Sequence, residues 1–493
     1  MSKNKQKKVR PFLIVELLSS FSKRELANLT DFVSCNYHNT DVHVVGLLEF
    51  FKEMIINEDD FDDAAQCAAF RATFPKKAAP KKTLSDKEKS LLRTKTTDLT
   101  RLAEMFLAFE ELKENAACKT ELLYSQLLKK RQFRLFKRNV AKDEKALTAK
   151  TAKGVRDYAH QFKMQSKVLV SFRERELLTA EDNLPELIES FDVYYLANRL
   201  KLYTTCFSLT QSSAKKSYDI ATTEVIQPLL QLPQYDSHPF IQTYQAAINL
   251  LEGDTAQLYE KFIGLLDTNE TYIAKEDLDT FYKIAINFYT NRIKEGNPAY
   301  YQQIFDLFKV MDHKDLLLEN DFMPTHKLKN ITTVSCKVGE FEWVRKVVET
   351  YRPNLEKECA ESVYHFNMGL IDFYQNNFKT AFDHFFHVEN INQAYTINSR
   401  IMTLKCYYEL DDEYDERTLR TLLLSERFIQ SHKDLITKDK KAYKNFVRIL
   451  INIYNTRHGA GRLTKEKIRR KLDKLEFVSD KKWLLEKINA LKE

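Results

Sequence analysis

The chain has 493 residues, 77 Lys and Arg against 70 Asp and Glu, and 43% hydrophobic side chains, but only 9 glycines and 10 prolines. Glycine and proline usually make up about 12% of a protein, and sheet or loop-rich folds need them at their turns, so this composition excludes those classes. The apolar content excludes disorder, and the length exceeds one compact core, so two or three domains or one long solenoid are expected.

Lys3 to Arg10 followed by Pro11 to Val15 imitates the start of a signal peptide. Glu16 interrupts the apolar stretch and no small-residue cleavage site follows, so export is not expected. Residues 12–57 read as two or three helices. Ser22 and Glu25 form a capping-box pattern ahead of Leu26, Leu29, Phe32 and Val33, and a second helix is predicted over Thr40–Ile56 with Val44, Leu47, Leu48, Phe51 and Ile55 on one side. Residues 75–84 carry Pro75 and Pro80 among lysines and read as a basic loop.

Ser85 and Glu88 open another capping box. Long helices are predicted over 86–114 and 117–150, the first with Leu99, Leu102, Met105, Phe106, Phe109 and Leu112 as its apolar stripe. Two more are predicted over 153–175 and 184–211. The longest uncharged run, Ser237 to Leu251, has 15 residues, fewer than the roughly 20 apolar residues of a membrane span. No membrane partner is therefore expected.

From about residue 239 a unit recurs: an apolar helix, a small or polar turn, and a second helix. The turns are Gly253-Asp254, Gly296-Asn297, Gly339-Glu340, Asn376-Asn377 and Asp411-Asp412, spaced 43, 43, 37 and 35 residues apart. Such a period marks a stack of helix pairs, and Gly, Asn and Asp tolerate the left-handed conformation that ends a helix. The stretch Tyr364–Val388 resembles a tetratricopeptide repeat. Asn367-Met368-Gly369 and Phe373 fall in its first helix, Asn376-Asn377-Phe378 at its turn, and Ala381 and Phe385 at the small and aromatic positions of its second helix. Asp372 stands where that repeat usually has an aromatic. The chain also resembles a group of uncharacterised bacterial helical-repeat proteins of similar length, through Leu17–Leu26 running on to Tyr37-His38-Asn39, Leu99–Leu112 and Arg400–Ile429. These resemblances imply the fold and carry no activity.

The predicted fold class is all-α, a helical N-terminal domain followed by a tetratricopeptide-like α-solenoid of stacked helix pairs. The expected organisation is a basic helical domain over 1–150, connecting helices over 151–235, repeats over 236–435 and basic capping helices over 436–493. Net charge is +8 over 1–150, −11 over 151–430 and +10 over 431–493. The seven cysteines are scattered without a C-x-x-C pair, as in reduced thiols of a cytoplasmic protein.

Candidate chemistry is sparse. His384 and His387 on one predicted helix and Glu361 and His365 on another have spacings that could converge on zinc. No finger or protease pattern accompanies them and aromatics surround them, so packing is the favoured reading and no metal or cofactor is expected. Lys129 to Arg138 places six cations among Phe133, Leu135 and Phe136, and residues 462–474 form a second basic segment. Each suits a nucleic-acid backbone, a solvated face, or the acidic middle of the same chain. Gly459-Ala-Gly461 reads as a turn between helices and not as a phosphate loop. With no catalytic motif in view, the expectation is a non-enzymatic scaffold that binds a protein or peptide through the concave face of its repeats. Nucleic-acid binding through 129–138 and 462–474 is the alternative. If the acidic middle lines the groove, a basic segment is the preferred ligand, and the chain's own basic ends make self-association a further expectation.

Overall fold

The structure, a computed structural model, describes residues 12–57, 59, 61–77, 83–174, 183–212, 223–388, 393–410, 420, 422, 424–425 and 437–491. Those residues form helices and short connections, with isolated bridges at Lys153–Ile273 and Glu319–Phe322 as the only β pairing among them. The fold is all-α. The chain divides into two compact units, residues 1–147 with 159–190, and residues 148–158 with 191–493. The first unit thus takes in 159–190, which sequence alone had grouped with the connecting helices, and the second runs through the connecting, repeat and capping segments together.

In the first unit, α1 (Leu13–Ser19), α2 (Lys23–Ser34), α3 (Val42–Ile56), α4 (Asp63–Thr73) and α5 (Asp86–Glu114) enclose one core. Both predicted capping boxes form: Ser22 accepts from the Glu25 amide while Glu25 accepts from the Ser22 amide, and Ser85 and Glu88 do the same. Helix α4 was not foreseen. Asp62 caps it, and Cys67, Ala69, Phe70 and Thr73 face inward. On α5 the buried stripe is Leu92, Thr96, Leu99, Leu102, Ala103 and Phe106. Met105 and Phe109, predicted for that stripe, lie on its exposed margin, where Phe109 packs on Phe32 with ring centroids 5.5 Å apart. Of the predicted basic loop, residues 78–82 lie outside the described residues.

The single helix expected over 117–150 is two, α6 (Ala116–Lys129) and α7 (Phe133–Ala149). Arg131 takes a left-handed φ of 54° between them, and the amides of Arg131 and Gln132 reach back to Leu128 and Leu127 at 2.8 Å. That pattern closes a helix C-terminus, and it folds Phe136 back beside Tyr124, 5.2 Å between rings. The sequence shows no glycine or proline there, so periodicity alone ran straight through the break.

The second unit begins within α8 (Val155–Glu174) and α9 (Leu184–Ser212) and continues through α10 (Thr223–Leu230) and α11 (Pro233–Asp236). Helix pairs follow: α12 (Pro239–Gly253) with α13 (Ala256–Asn269), α14 (Lys275–Lys294) with α15 (Tyr301–His313), α16 (Thr325–Val338) with α17 (Phe341–Tyr351), and α18 (Ala360–Tyr374) with α19 (Phe378–Phe386). Each helix packs on its partner and on the next pair, and one apolar core extends from Tyr158 to Ile371. The stack of helix pairs expected from the recurrent turns is present.

The turns behave as their residue types require. Gly296, Gly339 and Asn376 take left-handed φ values of 108°, 86° and 64°; in the first turn Asp254, not Gly253, does so, at 44°. Asp411-Asp412 lies outside the described residues. Gly369 on α18 is where the pair approaches most closely. A Cβ there would stand 2.8 Å from Cε1 of Phe385, whose ring fills the space beside fully buried Ala381. After α20 (Gln393–Leu410) come α21 (Thr437–Arg457), α22 (Lys465–Asp473) and α23 (Lys481–Asn489), which share a core around Tyr443, Phe446, Ile468 and Leu484. Gly459-Ala460-Gly461 is the turn between α21 and α22, with Gly459 at φ 74°.

Candidate binding groove along the first helices

Helices α14, α16, α18 and α20 occupy the same place in successive units, and three adjoining cavities run along them. The largest, about 520 Å³, lies among α16, α18, α20, α21 and the residues just before α23. Asn330 is shared with a cavity of about 220 Å³ between α14, α15 and α16, and Tyr374, Lys405 and Asp480 with one of about 370 Å³ toward α23. Phe366, Leu370, Ile397, Ile401 and Met402 give the largest cavity an apolar wall, whereas Asn330, Thr333, Asn398 and Ser479 bring polar groups to it.

The charge on these walls is mixed, with lysines outnumbering carboxylates. Lys283 and Lys327 line one cavity, Lys329 and Lys405 with Asp480 the largest, and Lys337, Lys405, Lys482 and Lys487 with Glu409, Asp480 and Glu486 the third. The carboxylates nearby are largely engaged. Asp279 and Glu319 hold Lys283 and Lys327 at 2.7 to 3.3 Å, and Asp480 pairs with Lys405. A summed charge of −11 over 151–430 therefore does not describe this face, because much of the acid of that segment lies elsewhere.

Lys405 is 3% exposed on α20, pairs with Asp480, and has the rings of Trp483 and Phe373 at 5.0 and 5.8 Å from its Nζ. Burial pushes its pKa below the usual lysine range even though Asp480 opposes the shift. Lys329 is half-buried on α16, with Nζ 5.7 Å from the Tyr395 ring and no carboxylate partner among the described residues. Burial lowers its pKa too, and no neighbouring charge offsets it. Neither residue was singled out from the sequence. A signal existed for Lys405, a lone cation amid the apolar run Ile401–Tyr408; Lys329 offered none.

The structure gathers the histidines considered for zinc. His365 Nδ1 and His384 Nδ1 are 2.9 Å apart, so one ring donates to the other, and the His387 ring centroid lies 5.1 Å from that of His365. Glu361 does not join them; its two oxygens accept from Arg352 at 2.7 and 2.9 Å. Among the described residues no group of three or more His, Cys, Asp or Glu side chains is arranged to hold a metal ion. Burial, reinforced by the neighbouring imidazoles, lowers the pKa of His365, and burial lowers that of His384 against the pull of Asp372. Asp372, the departure from the repeat pattern, is 5% exposed and accepts from Arg345 at 3.0 Å, with His384 Nε2 at 3.5 Å. Its carboxylate joins α18 to α17 through the charge of Arg345 and lies beside the His384 imidazole of α19.

In the first basic segment Phe136 is buried and Phe133 partly so, as expected, while Leu135 faces solvent. Lys129, Lys130, Arg131, Arg134, Lys137 and Arg138 are all exposed, and none forms an ion pair among the described residues. In the second, Ile468 and Leu472 anchor α22, and Lys465 donates to the carbonyls of Asn489 and Leu491. Arg462, Lys467, Arg469, Arg470, Lys471 and Lys474 are exposed and likewise without ion pairs among the described residues. The pairing of these segments with acidic residues of the same chain is not formed there.

No protein-family profile, curated protein or solved structure matches the chain. Among the described residues no helix is long and apolar enough to cross a membrane.

Proposed function

We propose that this chain is a non-enzymatic, tetratricopeptide-like helical-repeat scaffold that binds a protein or peptide partner along the face of its first helices. The observation that supports this most is the row of adjoining cavities on α14, α16, α18 and α20, whose walls combine apolar side chains with lysines. Stacked helix pairs hold such a face rigid, so a partner meets a surface already ordered and loses less of its binding energy to organising it. The seven cysteines are scattered along the chain without a C-x-x-C pair, which supports a reducing, cytoplasmic setting.

Asn330 is exposed and lines two of the cavities, so Asn330→Trp fills both entrances without disturbing the core. In pull-downs from native lysate read by mass spectrometry, a partner is expected that the parent chain captures and the variant loses. Identical captured sets from both, or no specific partner at all, would sink the reading.

A second reading has its own support: the six exposed cations of 129–138, without carboxylate partners, present a surface suited to a nucleic-acid backbone. Arg131→Glu with Arg134→Glu and Lys137→Glu is expected to abolish salt-dependent retention on heparin and to lower the slope of log affinity against log salt by about 0.9 per lost phosphate contact. Retention unchanged in the triple variant assigns these cations to solvation.

A further inference from the structure

We propose that the 520 Å³ cavity between α16, α18 and α20 is a binding site for a small organic anion, its negative head at Lys329 and its apolar body against Phe366, Leu370, Ile401 and Met402. Its size falls within the roughly 300–1,000 Å³ of small-molecule sites, and its exposed lining is shared about equally between polar and apolar groups, as an amphiphilic ligand requires. This assignment goes beyond the partner reading and stands without it, since it concerns one cavity and a ligand far smaller than a protein segment.

The charge count selects the ligand's sign. Lys329, Lys405 and Asp480 are the charged residues of the lining. Asp480 is committed to Lys405, so one positive charge, that of Lys329, remains without a carboxylate partner among the described residues. A half-buried ammonium without a counter-ion carries a desolvation cost, visible in the lowered proton affinity that burial imposes on Lys329. An anion brought to Lys329 meets a charge already partly stripped of water, where attraction is stronger than in bulk solvent. Asn330, the next residue of α16, also lines the cavity and its side-chain amide can donate to a second oxygen of a carboxylate or similar head, whereas the Thr333 hydroxyl already donates to the Lys329 carbonyl at 2.8 Å. The apolar side chains come from the other two helices, so head and body find separate walls. Lys346, exposed on α17 and lining none of the three cavities, is an internal control.

The test titrates the full chain with octanoate and with octanol, a pair of equal chain length that differs in charge, by isothermal calorimetry. One octanoate per chain is expected, with octanol bound at least about tenfold more weakly, a ratio in the range of a single charge-assisted contact. Lys329→Met is expected to weaken octanoate by about tenfold and leave octanol unchanged, while Lys346→Met alters neither. Because the free-state proton affinity of Lys329 is lowered, octanoate binding should also be lost as pH rises, earlier than an exposed lysine would predict. Thermal melts of both variants check that the stack is intact. Equal affinity for acid and alcohol, octanoate binding indifferent to Lys329→Met, or no octanoate binding at millimolar concentration overturns the assignment. None of these outcomes bears on capture of a protein by the Asn330 comparison.

Discussion

Phe385→Ala is expected to destabilise the second unit by about 3–5 kcal/mol, the range for emptying the space of a buried phenylalanine. Phe385 is 2% exposed, and its ring lies where a side chain on residue 369 would be, with the Phe366 ring 5.9 Å away. Gly369 has no atoms with which to fill the hole, and Ala381 beside it has few, so the pair α18 and α19 can recover little by relaxing. A stack of repeats passes such a loss to its neighbours, because each pair is held only by the pairs beside it. Amide hydrogen exchange should therefore show lost protection in α16 to α20 and unchanged protection across α1 to α5, with the urea transition of the second unit moved to lower concentration. Gly369→Ala supplies a cross-check. It is unfavourable in the parent chain, where its Cβ meets the ring at 2.8 Å, and favourable in the Phe385→Ala background, where the ring is gone. A loss below about 1 kcal/mol for Phe385→Ala would show that the ring is not the wedge between these helices.

Asp480→Asn is expected to cost about 3 kcal/mol, while Lys405→Met changes stability by no more than about 1 kcal/mol. The asymmetry follows from exposure. The side chain of Lys405 is 4% exposed and that of Asp480 41%, so neutralising Asp480 leaves an uncompensated buried ammonium, whereas removing Lys405 leaves a carboxylate already in water. The partial exposure of Asp480 also sets the cost at the low end of the range for breaking a buried pair. Asparagine keeps the N-cap of α23, where Asp480 accepts from the Trp483 amide at 3.4 Å, and tolerates the left-handed φ of 41° at that position, so the change isolates the charge. Dependence on pH carries the sign. Burial depresses the proton affinity of Lys405 in the folded chain below its ordinary value of 10.5, so the unfolded chain binds that proton more tightly. Stability lost in Asp480→Asn should be fully present around neutral pH and recover as pH climbs toward that value. Chemical denaturation across neutral to alkaline pH reads both effects. Equal losses in the two variants would mean that Lys405 is not held as a buried charge.

The helices, their caps and the stacked pairs were legible in the residues because each rests on information a few positions long. Ser22 with Glu25 and Ser85 with Glu88 need only one turn of chain, and Gly296, Gly339 and Asn376 announce a left-handed residue wherever they fall. The break at Arg131 was hidden because a non-glycine residue adopts a conformation its type does not advertise, and packing of Phe136 on Tyr124 offsets the strain.

Charge on the candidate groove could not be read from the sequence at all. Summing over 151–430 gives an acidic segment, yet which cations face the groove depends on the rotation of each helix about its axis and on which carboxylates already have partners. Asp480 reaches Lys405 across 75 positions, and no local pattern announces so distant a pair. The sequence by itself determined that neighbouring two-helix units would bury their apolar stripes against one another, since burial of such stripes requires only the right period. Tertiary structure alone decided that Lys329 has no counter-ion among the described residues, because compensation of a charge is a property of everything packed around it.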